Sequence, residues 1–457
     1  MSRITRSLGP IAALAAMAAL SACSTVSRVG DAVWPFNGGD EAPRQTAPED
    51  GRISILAFEQ ELAPDPALAS RTIVVPPPVQ VVEWSQPGGT ADNSPPPSTG
   101  SAVLQRAWRA NLGQGSNNNA QIAAPPVIAG GNLFFLDADH RVHALSATDG
   151  SRLWSENLRP RDSRDRVARG GGVAAAGGRV FVTTGFGFIA ALDANTGEEV
   201  WRRQADAPFQ SAPTVVGARV YAITNDSELL AIDAGSGEVL WTYQAIAEPA
   251  RILSATSVAV DGDTVVAPFA SGELVALLGG NGRRLWSDAL SRSGQLTSLS
   301  AINDIAGRPV LDNGIVFAAS HSGVLAAIDV RSGQRGWARA FASTQTPLVA
   351  GNVLYAVSTD GVLAAFDRDT GNAYWVQQLR RFRDENGREG RISWTGPVMI
   401  GGRLVLANSV GEVIAVTPET GQTVATADVG KPVFIPPIVA NDQIYIVTDE
   451  ANLVVLR

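Results

Sequence analysis

Three histidines (His140, His143 and His321), one cysteine (Cys23) and an evenly spaced set of aspartates and tryptophans are the residues of this 457-residue chain whose types could do chemistry. His140 and His143 are close enough in sequence to share a metal ion. A zinc site needs further Cys or His ligands at a set spacing, and none follows them. The stretch GFGFIA at Gly185 lacks the third glycine and the helix of a dinucleotide fingerprint, and it reads as a strand hairpin. There is no Gly-x-Ser-x-Gly nucleophile motif, and no carboxylate pair stands out as an acid and base. In ALDANTGEEVW, Asp193, Gly197 and Trp201 could hold a cofactor or could cap a turn and bury a ring.

Repetition decides between those readings. The same words recur as ALSATDGSRLW to Trp154, AIDAGSGEVLW to Trp241, ALLGGNGRRLW to Trp286, AIDVRSGQRGW to Trp337 and AFDRDTGNAYW to Trp375; a seventh copy, AVTPETGQTVA, has Ala425 in place of the aromatic. A pattern used this often is architecture. A second word opens each unit, at Pro126, Val173, Pro213, Val258, Pro309, Pro347, Pro397 and Pro437. Each opener but the last lies 28 residues before its Trp position: Pro126 to Trp154, Val173 to Trp201, and so on to Pro397 and Ala425. Within the module apolar residues alternate between Gly and Asp punctuation, as in short antiparallel strands.

One such unit cannot bury both faces, but a ring of eight can. The eighth opener has only 20 residues after it, one strand short, and AVLQRAW, ending at Trp108, precedes the first opener. The spacing therefore predicts an all-β fold: an eight-bladed β-propeller of four-stranded blades over residues 102–457, its ring closed by the N-terminal strand joining the last blade. In this frame Asp193 caps its turn through its carboxylate, Gly197 supplies backbone freedom, and Trp154, Trp201, Trp241, Trp286, Trp337 and Trp375 dock on neighbouring blades.

The start of the chain reads as an export signal over residues 1–22. Arg3 and Arg6 precede the apolar run Leu8 to Leu20, which is too short to span a bilayer. Leu20-Ser21-Ala22-Cys23 resembles the bacterial lipobox, in which the cysteine is acylated and becomes the new N-terminus. Ser24 in place of Asp implies sorting to the outer membrane. Loss of Arg3 and Arg6 takes the formal charge from −8 to −10, which speaks against nucleic-acid binding. Residues 23–101 are rich in Pro and Gly, as in VVPPPV and QPGGTADNSPPPSTGS, and read as a tether. The apolar island RISILAFEQEL, residues 52–62, reads as a docking segment within it.

If the module is fixed, recognition belongs to the connections between modules, whose lengths vary from Trp337–Pro347 to Trp286–Pro309. All of them leave the outer strand of one blade for the inner strand of the next, so they emerge on one face. Two are Arg-rich, SENLRPRDSRDRVARGGG and VQQLRRFRDENGREGRISWTG; a third, SDALSRSGQLTSLSAINDIAGR, carries Asp304 among apolar residues.

The repeat Ala-x-Asp-x-x-x-Gly-x-x-x-Trp resembles that of pyrroloquinoline-quinone-type propellers. A dehydrogenase of that kind holds its quinone with a metal ion, a catalytic Asp and, in the alcohol dehydrogenases, a vicinal disulfide; this chain has one cysteine. The lipobox, tether and ring without enzyme residues together resemble the BamB family, the propeller lipoproteins of the outer-membrane β-barrel assembly machinery. That resemblance implies a non-enzymatic scaffold without cofactor, anchored by Cys23 to the outer membrane and facing the periplasm. Its implied partners are the POTRA domains of BamA and nascent barrel proteins, the latter by strand pairing. The family's partner contacts fall in two adjacent connections, which carries over to Asp304 and, two positions out of register, to Arg251. A quinone-dependent dehydrogenase and another envelope-binding propeller lipoprotein are the alternative readings.

Overall fold

The computed structural model describes residues 62–160, 168–248, 252, 256–291 and 302–457. Cys23, the signal segment, residues 52–61 of the apolar island and Arg251 lie outside these. Eight four-stranded antiparallel sheets follow one another along the chain, each running in order from an inner to an outer strand. The second blade is typical: Gly171–Ala176, Arg179–Thr184, Phe188–Asp193 and Glu199–Gln204.

The burial pattern gives the cause of this layout. Second and third strands such as Arg179–Thr184 and Phe188–Asp193 are buried almost throughout, because both faces of each blade are covered by neighbouring blades. Outer strands such as Glu199–Gln204 alternate between exposed and half-buried residues. The eighth blade takes its inner three strands from Ile438–Ala440, Gln443–Val447 and Asn452–Leu456, and its outer strand from Arg106–Asn111, which precedes the first blade in sequence. Trp108 pairs with Val455 across that junction.

The tryptophans dock as the spacing requires. Each indole N–H donates to a carbonyl of the next blade: Trp154 to Ala194 at 2.9 Å, Trp201 to Ala234 at 3.0 Å, Trp241 to Gly279 at 2.9 Å, Trp286 to Val330 at 2.7 Å, Trp337 to Arg368 at 2.8 Å and Trp375 to Pro418 at 2.8 Å. The turn glycine does more than relax the backbone. At Gly197, φ is +78°, and a Cβ there would lie 2.6 Å from the Trp154 ring of the preceding blade. The Asp193 carboxylate accepts the N–H groups of Asn195 and Thr196 at 2.9 and 3.0 Å. These bonds hold its pKa below the usual carboxylate value.

The seventh blade's missing aromatic has a structural reason. A Trp at position 425 would dock on the turn between the third and fourth strands of the eighth blade. Those two strands come from opposite ends of the propeller sequence, so no turn joins them. At the closing seam, Trp108 instead packs on Gly150 of the first blade, where a Cβ would lie 2.6 Å from its ring.

One stretch departs from the expected tether. Residues 62–101 are laid against the ring rather than hanging free of it. Pro64 bridges to Ala373, Trp84 to Ile128, and Ser98 to Ile400, while Trp84, Gln86, Asn93 and Ser98 are buried. Proline suits such a segment because it has no N–H to leave unpaired, and glycine because it permits close backbone approach. The same composition therefore serves a strap as well as a linker.

Candidate functional site

The face carrying the variable connections is the candidate site. Asp304 lies in the connection from the fourth to the fifth blade and is 5% exposed. Its Oδ2 accepts the backbone N–H of Ile252 at 2.7 Å, and its carbonyl accepts the N–H of His321 at 3.0 Å. The Gln210 side-chain amide donates to the Ile252 carbonyl from the other side. Ile252 belongs to the connection from the third to the fourth blade, immediately after Arg251. The two connections that the sequence pairs through Arg251 and Asp304 are thus bonded to each other, with Asp304 as a buried bracket between them. A cavity of about 30 Å³ beneath is lined by Thr224, Ile252, Phe269 and Asp304.

Four residues along, Arg308 is buried, and burial lowers its pKa to about 10, which leaves it charged at neutral pH. It lines two cavities that share Arg308, Gln345, Thr346 and Pro436. One is of about 40 Å³ near the strap, and one of about 300 Å³ is walled by Ala123, Gly307 and Phe434 of the variable connections. The Arg-rich connection after Trp375 folds as a hairpin, Phe382–Asp384 with Glu389–Arg391. Its Arg391 and Arg381 pair with Asp360.

His140 and His143 are buried, and His321 Nδ1 lies 3.3 Å from the Ile302 carbonyl. His143 bonds Asp137 at 2.9 Å. Burial pushes the Asp137 carboxyl up, but that bond and the N–H groups of Gln114 and Arg141 outweigh it and hold the group low. His140 accepts the Gly185 N–H at 3.1 Å and lies against Phe186, and its pKa falls to about 4, chiefly through burial. GFGFIA is the hairpin turn expected, between Arg179–Thr184 and Phe188–Asp193. Among the described residues no three His, Cys, Asp or Glu side chains converge as a metal site.

The family model described as "Outer membrane protein assembly factor BamB" matches residues 138–377 and 360–457. The protein of that name from Escherichia coli strain K12 is 32% identical over 368 residues, covering 79% of this chain and 88% of the relative.

The chain belongs to the BamB family.

The counterpart from Shigella dysenteriae serotype 1 is 31% identical over 367 residues, covering 79% of this chain and 88% of the relative. The crystal structure of BamB from Moraxella catarrhalis superposes with a TM-score of 0.62 at 24% identity, covering 78% of this chain and 98% of that one. A europium-containing methanol dehydrogenase superposes with a TM-score of 0.65 at 15% identity, covering 80% of this chain and 89% of that one. These superpositions show a shared ring and do not separate scaffold from enzyme; the sequence relationship does.

Several contributors had no individual signal in the repeat words. On the second strands, Phe134, Phe181, Tyr221, Phe317 and Tyr355 pack their rings 5.9–6.1 Å from the Trp of the same blade. The recurrence of an aromatic eight residues after an opener (Pro126 to Phe134, Pro213 to Tyr221) is the signal that could have found them. The Asp304–Ile252 bond involves a backbone N–H and leaves no trace in residue type.

Proposed function

We propose that this protein is a non-enzymatic assembly factor of the outer membrane, in which the ring presents two bonded connections, 245–258 and 290–309, to the POTRA domains of BamA. Family membership supports the assembly role, and the relatives carry that role in their names. The observation that supports the choice of site is the Asp304–Ile252 bond, which ties the two connections to each other. Asp304 acts from beneath, since it is buried, and Arg251, next to Ile252 in the sequence, is the second residue assigned to the partner. Nascent barrel proteins are the second class of partner. Acylation at Cys23 holds the protein at the inner leaflet of the outer membrane, where several acyl chains at about 0.8 kcal/mol per buried CH₂ give a lasting anchor.

The test is affinity purification of the tagged, full-length protein from gently solubilised outer membranes, wild type beside Asp304→Arg and Arg251→Glu. Recovery of a barrel protein bearing POTRA domains, lost in both variants while their thermal unfolding stays cooperative, is the expected result. Retention in both variants would move the interface elsewhere. Absence of such a partner from the wild type would sink the scaffold reading.

A further inference from the structure

The inner strands of a propeller blade each have one neighbour. Their other edge faces the channel and presents unpaired N–H and C=O groups in a confined space. In this protein those edges are occupied at one end of the channel by the protein's own residues 74–99.

The segment visits all eight blades, beginning at the sixth. There the Val74 N–H donates to the Asn352 side chain at 2.8 Å. The Val81 carbonyl then accepts from Asn441 of the eighth blade at 2.8 Å. Trp84 exchanges both backbone bonds with Ile128 of the first blade, each 2.8 Å, and the Ser85 carbonyl accepts from Ala175 of the second at 2.8 Å. At the third blade a side chain replaces backbone. Gln86 Oε1 accepts the Val215 N–H at 3.0 Å, and its Nε2 donates to the Val215 carbonyl at 3.2 Å.

Ala91 and Asp92 carbonyls accept from Val260 of the fourth blade and Leu311 of the fifth, at 2.8 and 2.9 Å. Asn93 Nδ2 bridges the Val258 and Pro309 carbonyls of the same two blades at 3.3 and 2.9 Å. Ser98 pairs with Met399 and Gly401 of the seventh blade.

The main-chain contacts fall on the inner strands and beside the turns that follow them, the end opposite Asp304 and the variable connections, while the Asn93 side chain reaches inward to the carbonyls of Val258 and Pro309, just before the inner strands. Close fit accompanies the bonds. A Cβ at Gly351 would lie 2.0 Å from the Val74 carbonyl oxygen. Trp84, Pro87, Asn93 and Pro95 form the floor of the axial cavity whose walls include Arg308, Pro347, Pro397 and Pro437.

We propose that residues 74–99 are a built-in plug: an extended peptide bound in cis to the inner edges of all eight blades. It seals one end of the channel and leaves an axial cup that opens only toward the variable connections. Ligands of the cup enter from that face alone, and the inner edges are closed to strand addition by other chains.

Two readouts on the full chain test this, both in a Cys23→Ser background. The first is hydrogen exchange. Amides of 74–99, and those of Ile128, Ala175, Val260 and Leu311, are expected to exchange as slowly as the central blade strands. With Trp84→Ala, Gln86→Ala and Asn93→Ala combined they are expected to speed at least tenfold, while the second and third strands stay protected. The second readout is labelling of Pro347→Cys, a wall of the axial cavity, by a maleimide reagent too large for that cavity of about 40 Å³ and so admitted only once its floor is removed, which the same triple substitution is expected to accelerate at least tenfold. Exchange of 74–99 at unfolded-chain rates in the otherwise unsubstituted chain would overturn the proposal. So would accelerated exchange with unchanged labelling, since the segment would then brace the ring without sealing it. If the triple variant loses the blade protection as a whole, Gln86→Ala alone replaces it, judged by the same two readouts.

Discussion

Trp337 and Gly371 are expected to behave as one energetic unit, and a double-mutant cycle measures it. Trp337 is 7% exposed, donates to the Arg368 carbonyl at 2.8 Å and packs 6.1 Å from Phe317. Trp337→Ala is therefore expected to cost about 3–5 kcal/mol, the range for deleting a buried aromatic. Gly371 has φ +70°, and an added Cβ would meet the Trp337 ring at 2.5 Å. Gly371→Ala then carries about 1–2 kcal/mol of left-handed backbone strain plus the cost of displacing the indole.

With the ring already gone, only the backbone part remains, so the cycle should show about 1–3 kcal/mol of coupling, within the span seen for residues in contact. Gly402 is the control. Its φ is +67°, but nothing lies within 4 Å of an added Cβ, so Gly402→Ala isolates the strain and should not couple to Trp337. Urea unfolding of the four proteins, followed by circular dichroism, supplies the numbers. Coupling of Trp337 to Gly371 within about 0.5 kcal/mol of zero would refute the interlocking of ring and turn as the source of blade adhesion.

Ala425→Trp should add less than about 0.5 kcal/mol, because the eighth blade offers no turn to receive the ring; a gain as large as that of a docked aromatic pair, about 1.5 kcal/mol, would contradict the seam geometry. His140 has a folded pKa of about 4 against 6.5 unfolded, so the unfolded state binds its proton first. The stability it confers is complete above pH 6.5 and drains away as pH falls to 4, by about 3 kcal/mol in all. His140→Asn, which tolerates the residue's φ of +56°, should flatten the pH dependence of the urea midpoint across that window, and an unchanged slope would assign the acid sensitivity elsewhere. Asp304→Ala should raise hydrogen exchange at Ile252 severalfold while leaving the blade strands protected; unchanged exchange there would remove the bracket.

The ring was legible in the sequence because a propeller repeats one set of demands. Seven units carry a turn glycine, most of them an indole for the neighbour and several a capping aspartate such as Asp193, and in each unit from Pro126 to Pro397 the opener stands the same 28 residues before the aromatic position. Even the closing strand ending near Trp108 followed from counting. Three features were decided only by tertiary structure. The Asp304 carboxylate has a backbone N–H as its partner, and a backbone N–H is the same in every residue but proline. The absence of an aromatic at Ala425 follows from which two strands meet in the eighth blade. Residues 62–101 bind the ring through many main-chain groups, with side chains such as Asp65, Arg71, Glu83, Gln86, Asn93 and Thr99 adding to them, and their Pro and Gly content is equally that of a free tether. Side-chain periodicity reveals where apolar faces must be buried, whereas a segment held by its backbone is identified only once the edges it pairs with have been brought together.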